Sequence, residues 1–202
     1  MSTKYNKIII YFFSIIFLIN SSVYGNDKKP EDIILLSANK LFTDVEENKN
    51  IYVNDITAFY ERVDKILSPI IDFDTLIKTI VGSRIFDSTS EDLKNRFKIA
   101  LKNQLIRIYA KTIVDYSESK ITIISSSETQ GFYLVKTELS VGPGKPTIQV
   151  VYVMKNVMGD WKIVEVVANG IRLVKSLRKS LSPEIEEKGL ESLVKRLESE
   201  SS

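Results

Sequence analysis

The sequence predicts an α+β fold, with helices laid on one face of a curved four-stranded antiparallel sheet. Three observations predict it. Residues 31–117 carry apolar side chains at three- and four-residue spacing, the period of helices with one buried face. Residues 120–167 switch to alternation and β-branched residues, broken by short glycine-containing turns. Residues 171–198 return to the helical period.

Taken in order, Ile33, Ile34, Ala38, Leu41 and Phe42 open a first helix, which the polar patch 46–50 is expected to break. A second helix covers 54–67, with Phe59, Val63, Ile66 and Leu67 on one face, and ends at Ser68-Pro69 because a residue before proline disfavours the helical region. Asp72 caps a short helix carrying Phe73, Leu76, Ile77 and Ile80, which Gly82 stops. Ser88 with Glu91 forms a capping-box pattern that opens the longest helix, to about residue 117. Its stripe includes Leu93, Phe97, Leu101, Leu105, Tyr109 and Ile113. Strands are expected over 120–126, 130–141, 147–156 and 160–167, and helices over 171–188 and 190–198. The space between such a sheet and its helices is either core or pocket.

The first 25 residues stand apart. Lys4 and Lys7 precede an apolar run of 12 residues, Ile8 to Ile19, interrupted only by Ser14. Small residues follow to Gly25. This is the layout of a secretory signal peptide, and the run is shorter than the roughly 20 residues a spanning helix needs. Residues 1–25 are therefore expected to be removed, leaving 26–202 as one exported domain. No cysteine is present, which excludes disulfides and thiolate chemistry. Histidine is absent too, which removes the usual general base and the commonest metal ligand. Without the signal lysines the chain holds 26 basic and 26 acidic residues. A neutral surface gives no footing for nucleic acid.

Residues 161–178 read Trp-Lys-Ile-Val-Glu-Val-Val-Ala-Asn-Gly-Ile-Arg-Leu-Val-Lys-Ser-Leu-Arg. This strand-to-helix passage resembles the MlaC, or toluene-tolerance, family through Trp161, Lys162, Ile163, Val166, Gly170, Leu173, Val174 and Arg178. The stretch 63–82, with Asp72-Phe73-Asp74 and Val81-Gly82, is similar to an earlier block of that family. Phe97, Leu105, Tyr109, Ala110 and Tyr116 match its long helix, and Gly189-Leu190 its terminal one. The order of blocks is kept from about residue 58 to 197. Glu165, Asn169, Arg172 and Leu177 depart from the pattern, which favours aspartate, glutamate, serine and tyrosine there. The aromatic residue usual after the first glycine is missing from Gly82-Ser83-Arg84-Ile85-Phe86.

The resemblance implies a cone-shaped, NTF2-like fold with a deep apolar cavity, and a non-enzymatic phospholipid carrier of the periplasm. Such a carrier passes lipid between an outer-membrane lipoprotein complex and an inner-membrane ABC transporter complex of the Mla type, which maintains outer-membrane lipid asymmetry. It implies a monomer with transient membrane-protein contacts and no cofactor, the phospholipid being cargo. Burial of an acyl chain gains about 0.8 kcal/mol per methylene, so an apolar wall suffices and no catalytic or metal-binding residue is required. Strand alternation and the helical stripes point Phe73, Leu76, Tyr109, Ile113, Leu134, Val151, Val153, Ile163 and Val166 toward the space between sheet and helices. Two other readings stand beside this one. An NTF2-like enzyme would use an aspartate base and a tyrosine, as ketosteroid isomerase-like sites do; Asp72 and Asp74 are candidates, against the plainer reading as helix caps. A non-lipid-binding adaptor would have a filled core.

The exported protein is expected to begin within a few residues of Asn26 and to need no detergent. N-terminal sequencing of the exported form checks this; residues 1–25 found intact on a membrane-bound chain contradict it.

Overall fold

The computed structural model describes residues 28–115, 119–140, 142 and 144–201, without the side chains of 109–115 and 201. Helix α1 runs over Pro30–Asn54. Pro30 sits in its first turn, where the missing N–H costs nothing, and Glu31 and Asp32 complement the positive helix end. The expected break at 46–50 does not occur. Val45 and Tyr52 extend the buried stripe of Ile34 and Leu41 past that patch, whose side chains turn to solvent instead. The helix ends at Asp55, whose carboxylate accepts the backbone N–H groups of Thr57 (3.0 Å) and Ala58 (3.1 Å) and so caps helix α2, Ile56–Leu67.

Helices α1 and α2 form a hairpin pinned by one buried carboxylate. Asp44 is 6% exposed and accepts hydrogen bonds from the Tyr52 hydroxyl and the Arg62 guanidinium. Burial, then the Asp44 contact, pushes the Tyr52 hydroxyl up to about 12. Around this pair lie Leu41, Val45, Phe59, Val63 and Ile66.

A 3₁₀ turn, Ser68–Ile70, leads the chain back to the sheet, where Ile71 bridges Ile163. Asp72 caps helix α3 (Phe73–Val81) by accepting from Thr75 N at 3.0 Å, and Gly82, at φ +84°, ends it, both as the sequence predicts. A short helix α4, Ser83–Ser88, follows. Helix α5, Glu91–Asp115, is capped by Ser90, which accepts from Leu93 N at 3.3 Å. Ser88 belongs to α4 and donates to its carbonyls, so the capping residue lies two positions later than expected.

The sheet has five antiparallel strands in sequence order: β1 Lys120–Thr129, β2 Phe132–Ser140, β3 Ile148–Val157, β4 Asp160–Ala168 and β5 Ile171–Arg172. Two strands are bulged, β1 at Ile124 and β4 at Val164, which bends the sheet. The fifth strand corrects the expected four. Asn169 (φ +47°) and Gly170 (φ +82°) both take the left-handed region, the geometry of a two-residue hairpin turn. Residues 171 and 172 therefore pair back onto β4, and helix α6 begins at Leu173, running to Lys188. Helix α7, Leu190–Ser201, closes the chain. It packs with α3, α5 and α6 in a second buried cluster that includes Ile77, Ile80, Phe97, Leu101, Leu193 and Val194. Arg96 grips Glu198 with two hydrogen bonds (2.9 and 2.8 Å), tying α7 to α5.

Replacing Asp44 by alanine leaves a buried hydroxyl and a partly buried guanidinium unpaired. The expected loss is about 2–3 kcal/mol, a fall in Tm of roughly 5–10 °C by thermal denaturation. An unchanged Tm would show that the carboxylate does not hold the hairpin.

Candidate functional site

Between sheet and helices lies a chamber of about 360 Å³. The α1–α2 hairpin contributes Ile34, Ala38, Leu41, Phe42, Val63 and Leu67, and α5 contributes Leu105 and Ile106. Ile70 and Ile71 precede Phe73 and Leu76 of α3 along one side; Leu173, Val174 and Leu177 of α6 form another. The sheet supplies Ile121, Leu139, Tyr152, Ile163 and Val166. One end of the space is sealed as ordinary core by Ile34, Val135, Met154 and Ile163. The rest of this apolar surface is left uncovered.

Three charged side chains reach this wall, and each has a partner. Lys102 of α5 donates to Asp64 of α2 at 2.8 Å, and Ser68 donates to the same carboxylate. Burial pushes the Asp64 carboxyl up, but the hydrogen bonds from Lys102 and Ser68, with the Lys102 charge, outweigh it and hold it below the usual range. Both members stay partly exposed, at 35% for Asp64 and 24% for Lys102. Glu165 is more deeply placed, at 6%. Its carboxylate accepts from Val174 N (2.8 Å), Val166 N (3.1 Å) and Arg172 Nε (3.2 Å), so a residue of β4 caps the start of α6. Glu165 and Arg172 both depart from the family pattern, and here they meet as an ion pair.

The residues expected at this wall divide by face. Phe73, Leu76, Ile163 and Val166 line the chamber. Tyr109 and Ile113 fall in the last turns of α5, and their side chains lie outside the described residues, as does Tyr116. Leu134, Val151 and Val153 do not line it. On β2 the buried residues are Val135 and Thr137, so Leu134 points to the opposite face. Register pairs Leu134 with Val153, and Lys136 with Val151, on that outer face. The inward residues of β3 are Val150, Tyr152 and Met154. Because β3 is apolar on both faces, its alternation carries no sign of which side is inner. The bulge at Val164 explains how Ile163 and Val166, three apart, both face inward.

The α1 wall, the Asp64–Lys102 pair and Tyr152 are additions to the expected set. Only the α1 residues had a signal in the sequence, the stripe Ile34, Ala38, Leu41 and Phe42. Asp72 and Asp74 have structural work: Asp72 caps α3, and Asp74, 67% exposed, pairs with Lys98 at 2.5 Å. Trp161 packs edge-on to Tyr133 at 5.5 Å, and Arg178 donates to the Thr79 carbonyl at 3.1 Å. Among the described residues no cluster of three or more potential metal ligands occurs, and no helix is long and apolar enough to cross a membrane.

Helices over one face of a bent antiparallel sheet, enclosing an apolar chamber whose few charges are paired, define an α+β protein with a built-in hydrophobic cavity. The MlaC protein family model matches residues 37–199, and the chain belongs to that family. Toluene tolerance protein ttg2D of Pseudomonas putida is 25% identical over 160 residues, covering 79% of this chain and 74% of the relative. The intermembrane phospholipid transport system binding protein MlaC of Haemophilus influenzae is 22% identical over 180 residues, covering 87% and 84%. The fold also matches a phospholipid-binding protein from Ralstonia solanacearum, solved in complex with a phospholipid. That match has a TM-score of 0.77 at 14% identity, over 86% of this chain and 97% of the other.

The lowered Asp64 pKa fixes the sign of a pH effect. Its contribution to stability is complete above about pH 5 and is lost as pH falls through the lowered value. With both partners partly exposed it amounts to less than about 1 kcal/mol. Melting curves of wild type and Asp64→Asn are expected to differ near neutral pH and to converge toward pH 3. A gap that stays constant with pH would remove the ion pair from this account.

Proposed function

We propose that the protein is a non-enzymatic phospholipid carrier of the periplasm. It takes acyl chains into the chamber and moves lipid between an outer-membrane lipoprotein complex and an inner-membrane ABC transporter complex, thereby maintaining outer-membrane lipid asymmetry. The observation that carries this is the chamber wall itself: continuous aliphatic and aromatic surface from five helices and four strands, with its charges neutralised in place. Chain burial at about 0.8 kcal/mol per methylene gives such a wall a use without chemistry. Family membership supports the reading, as do the phospholipid named for the Haemophilus relative and the phospholipid bound by the Ralstonia protein. No cofactor is needed, because the cargo is held by burial and released by transfer to an equally apolar surface.

The two faces of the sheet give a controlled test. Val166→Asp places a carboxylate on the chamber wall, where an acyl chain would leave it unsolvated; Val151→Asp places one on the outer face. In an open chamber both variants fold, since the new carboxylate can hydrate when lipid is absent. After incubation with phospholipid vesicles and repurification, Val166→Asp is expected to carry at least about tenfold less lipid than wild type, and Val151→Asp within about twofold of it. The factor of ten corresponds to about 1.4 kcal/mol, a modest demand on a buried charge. Equal loading of Val166→Asp and wild type would contradict the reading.

A further inference from the structure

A container that only buries hydrocarbon has no use for the hydroxyl of Tyr152. This residue is central in β3, faces inward between Val135 of β2 and Val166 of β4, and lines the chamber. Other inward tyrosine hydroxyls find protein acceptors: Tyr52 donates to Asp44, and Tyr133 reaches Glu31 and Ser126 at 3.4 Å. Tyr152 makes no side-chain hydrogen bond to any described residue, although Asp64, Lys102 and Glu165 on the same wall are all paired. Loss of water, with no compensating contact, pushes its hydroxyl up to about 12. Tyr152 is half-buried, and its hydroxyl has no protein partner on a chamber wall that is otherwise apolar. When apolar cargo displaces water from the chamber, only an acceptor on the cargo itself can satisfy that hydroxyl.

Resting on the carrier reading, we propose that Tyr152 is the polar anchor of the cargo, its hydroxyl donating a hydrogen bond to a carbonyl oxygen of the lipid's acyl esters. The chemistry of the cargo selects that group. Acyl chains offer no acceptor, and the phosphate and headgroup are strongly hydrated. The ester carbonyls combine acceptor strength with attachment to hydrocarbon, so they alone suit an otherwise apolar wall. Tyr152 thereby fixes how deeply the lipid sits and discriminates ester-linked from ether-linked cargo, which burial alone does not.

The experiment offers the protein mixed vesicles of diacyl phosphatidylglycerol and its dialkyl ether analogue of equal chain length, with bound lipid quantified by extraction and mass spectrometry. Wild type is expected to favour the ester about fivefold, the worth of one neutral hydrogen bond. Tyr152→Phe keeps the ring and is expected to bring the ratio near one, while the lipid-free variant melts no lower than wild type. Equal uptake of ester and ether by wild type overturns the anchor and leaves the carrier standing; so does an ester preference that survives in Tyr152→Phe. Failure of wild type to take up either lipid overturns the carrier reading and the anchor with it. Should Tyr152→Phe fail to fold, Tyr152→Leu, which also lacks the hydroxyl, takes its place with the same expected ratio.

Discussion

The buried Glu165 carboxylate sets where the two C-terminal helices leave the sheet. It projects from the bulged part of β4 and accepts the Val174 N–H in the first turn of α6, while Arg172 closes over it from the surface. A carboxylate at 6% exposure is tolerable only when so satisfied. The consequence is positional. With its start fixed, α6 presents Leu173, Val174 and Leu177 to the chamber and carries Val174 and Ile185 into the cluster with α3, α5 and α7. One interaction therefore joins the chamber wall to the core that supports it.

That core explains how a chamber persists without collapsing. The two main helical clusters are separate: one holds the α1–α2 hairpin together through Asp44 and its apolar neighbours, the other holds α3, α5, α6 and α7. Each is packed internally, so neither needs to close on the sheet to gain burial. The sheet is met where Ile34 seats against Val135, Met154 and Ile163, where Ile71 bridges Ile163, and where Glu165 caps α6. What remains uncovered is the far part of the inner face, opposite α2 and α5. The Asp64–Lys102 pair spans those two helices at the same level, keeping charge on the chamber wall without leaving any unpaired.

Much of this was legible in the residues, and the gaps have physical causes. Asp72 and Gly82 announced the ends of α3 because capping and a left-handed φ are local requirements. The Asn169-Gly170 pair is an equally local hairpin signal, but the apolar run after it has helical spacing, which hid the two-residue β5. The patch 46–50 reads as a break by its polarity alone, but the continuing stripe of Val45 and Tyr52 carries the helix through it. On β3 no local feature separates Val151 from Tyr152. Which of them is inner depends on register with β2 and on a bulge in β4, both set by pairing distant in sequence. The helix stripes were therefore readable locally, as were Ile163 and Val166 of β4, while the inner face of β2 and β3 depends on the folded register.

The carrier, adaptor and enzyme readings differ in what the native protein contains. A carrier leaves its envelope with cargo in place; an adaptor, or an enzyme with a small polar substrate, does not. Native mass spectrometry of the protein purified without detergent from its own cells separates them directly. The account predicts a mass exceeding that of the polypeptide alone by the mass of a phospholipid, with diacyl lipid recovered on solvent extraction at about one molecule per chain. A bare polypeptide mass, with no lipid extracted from a folded preparation, would contradict it.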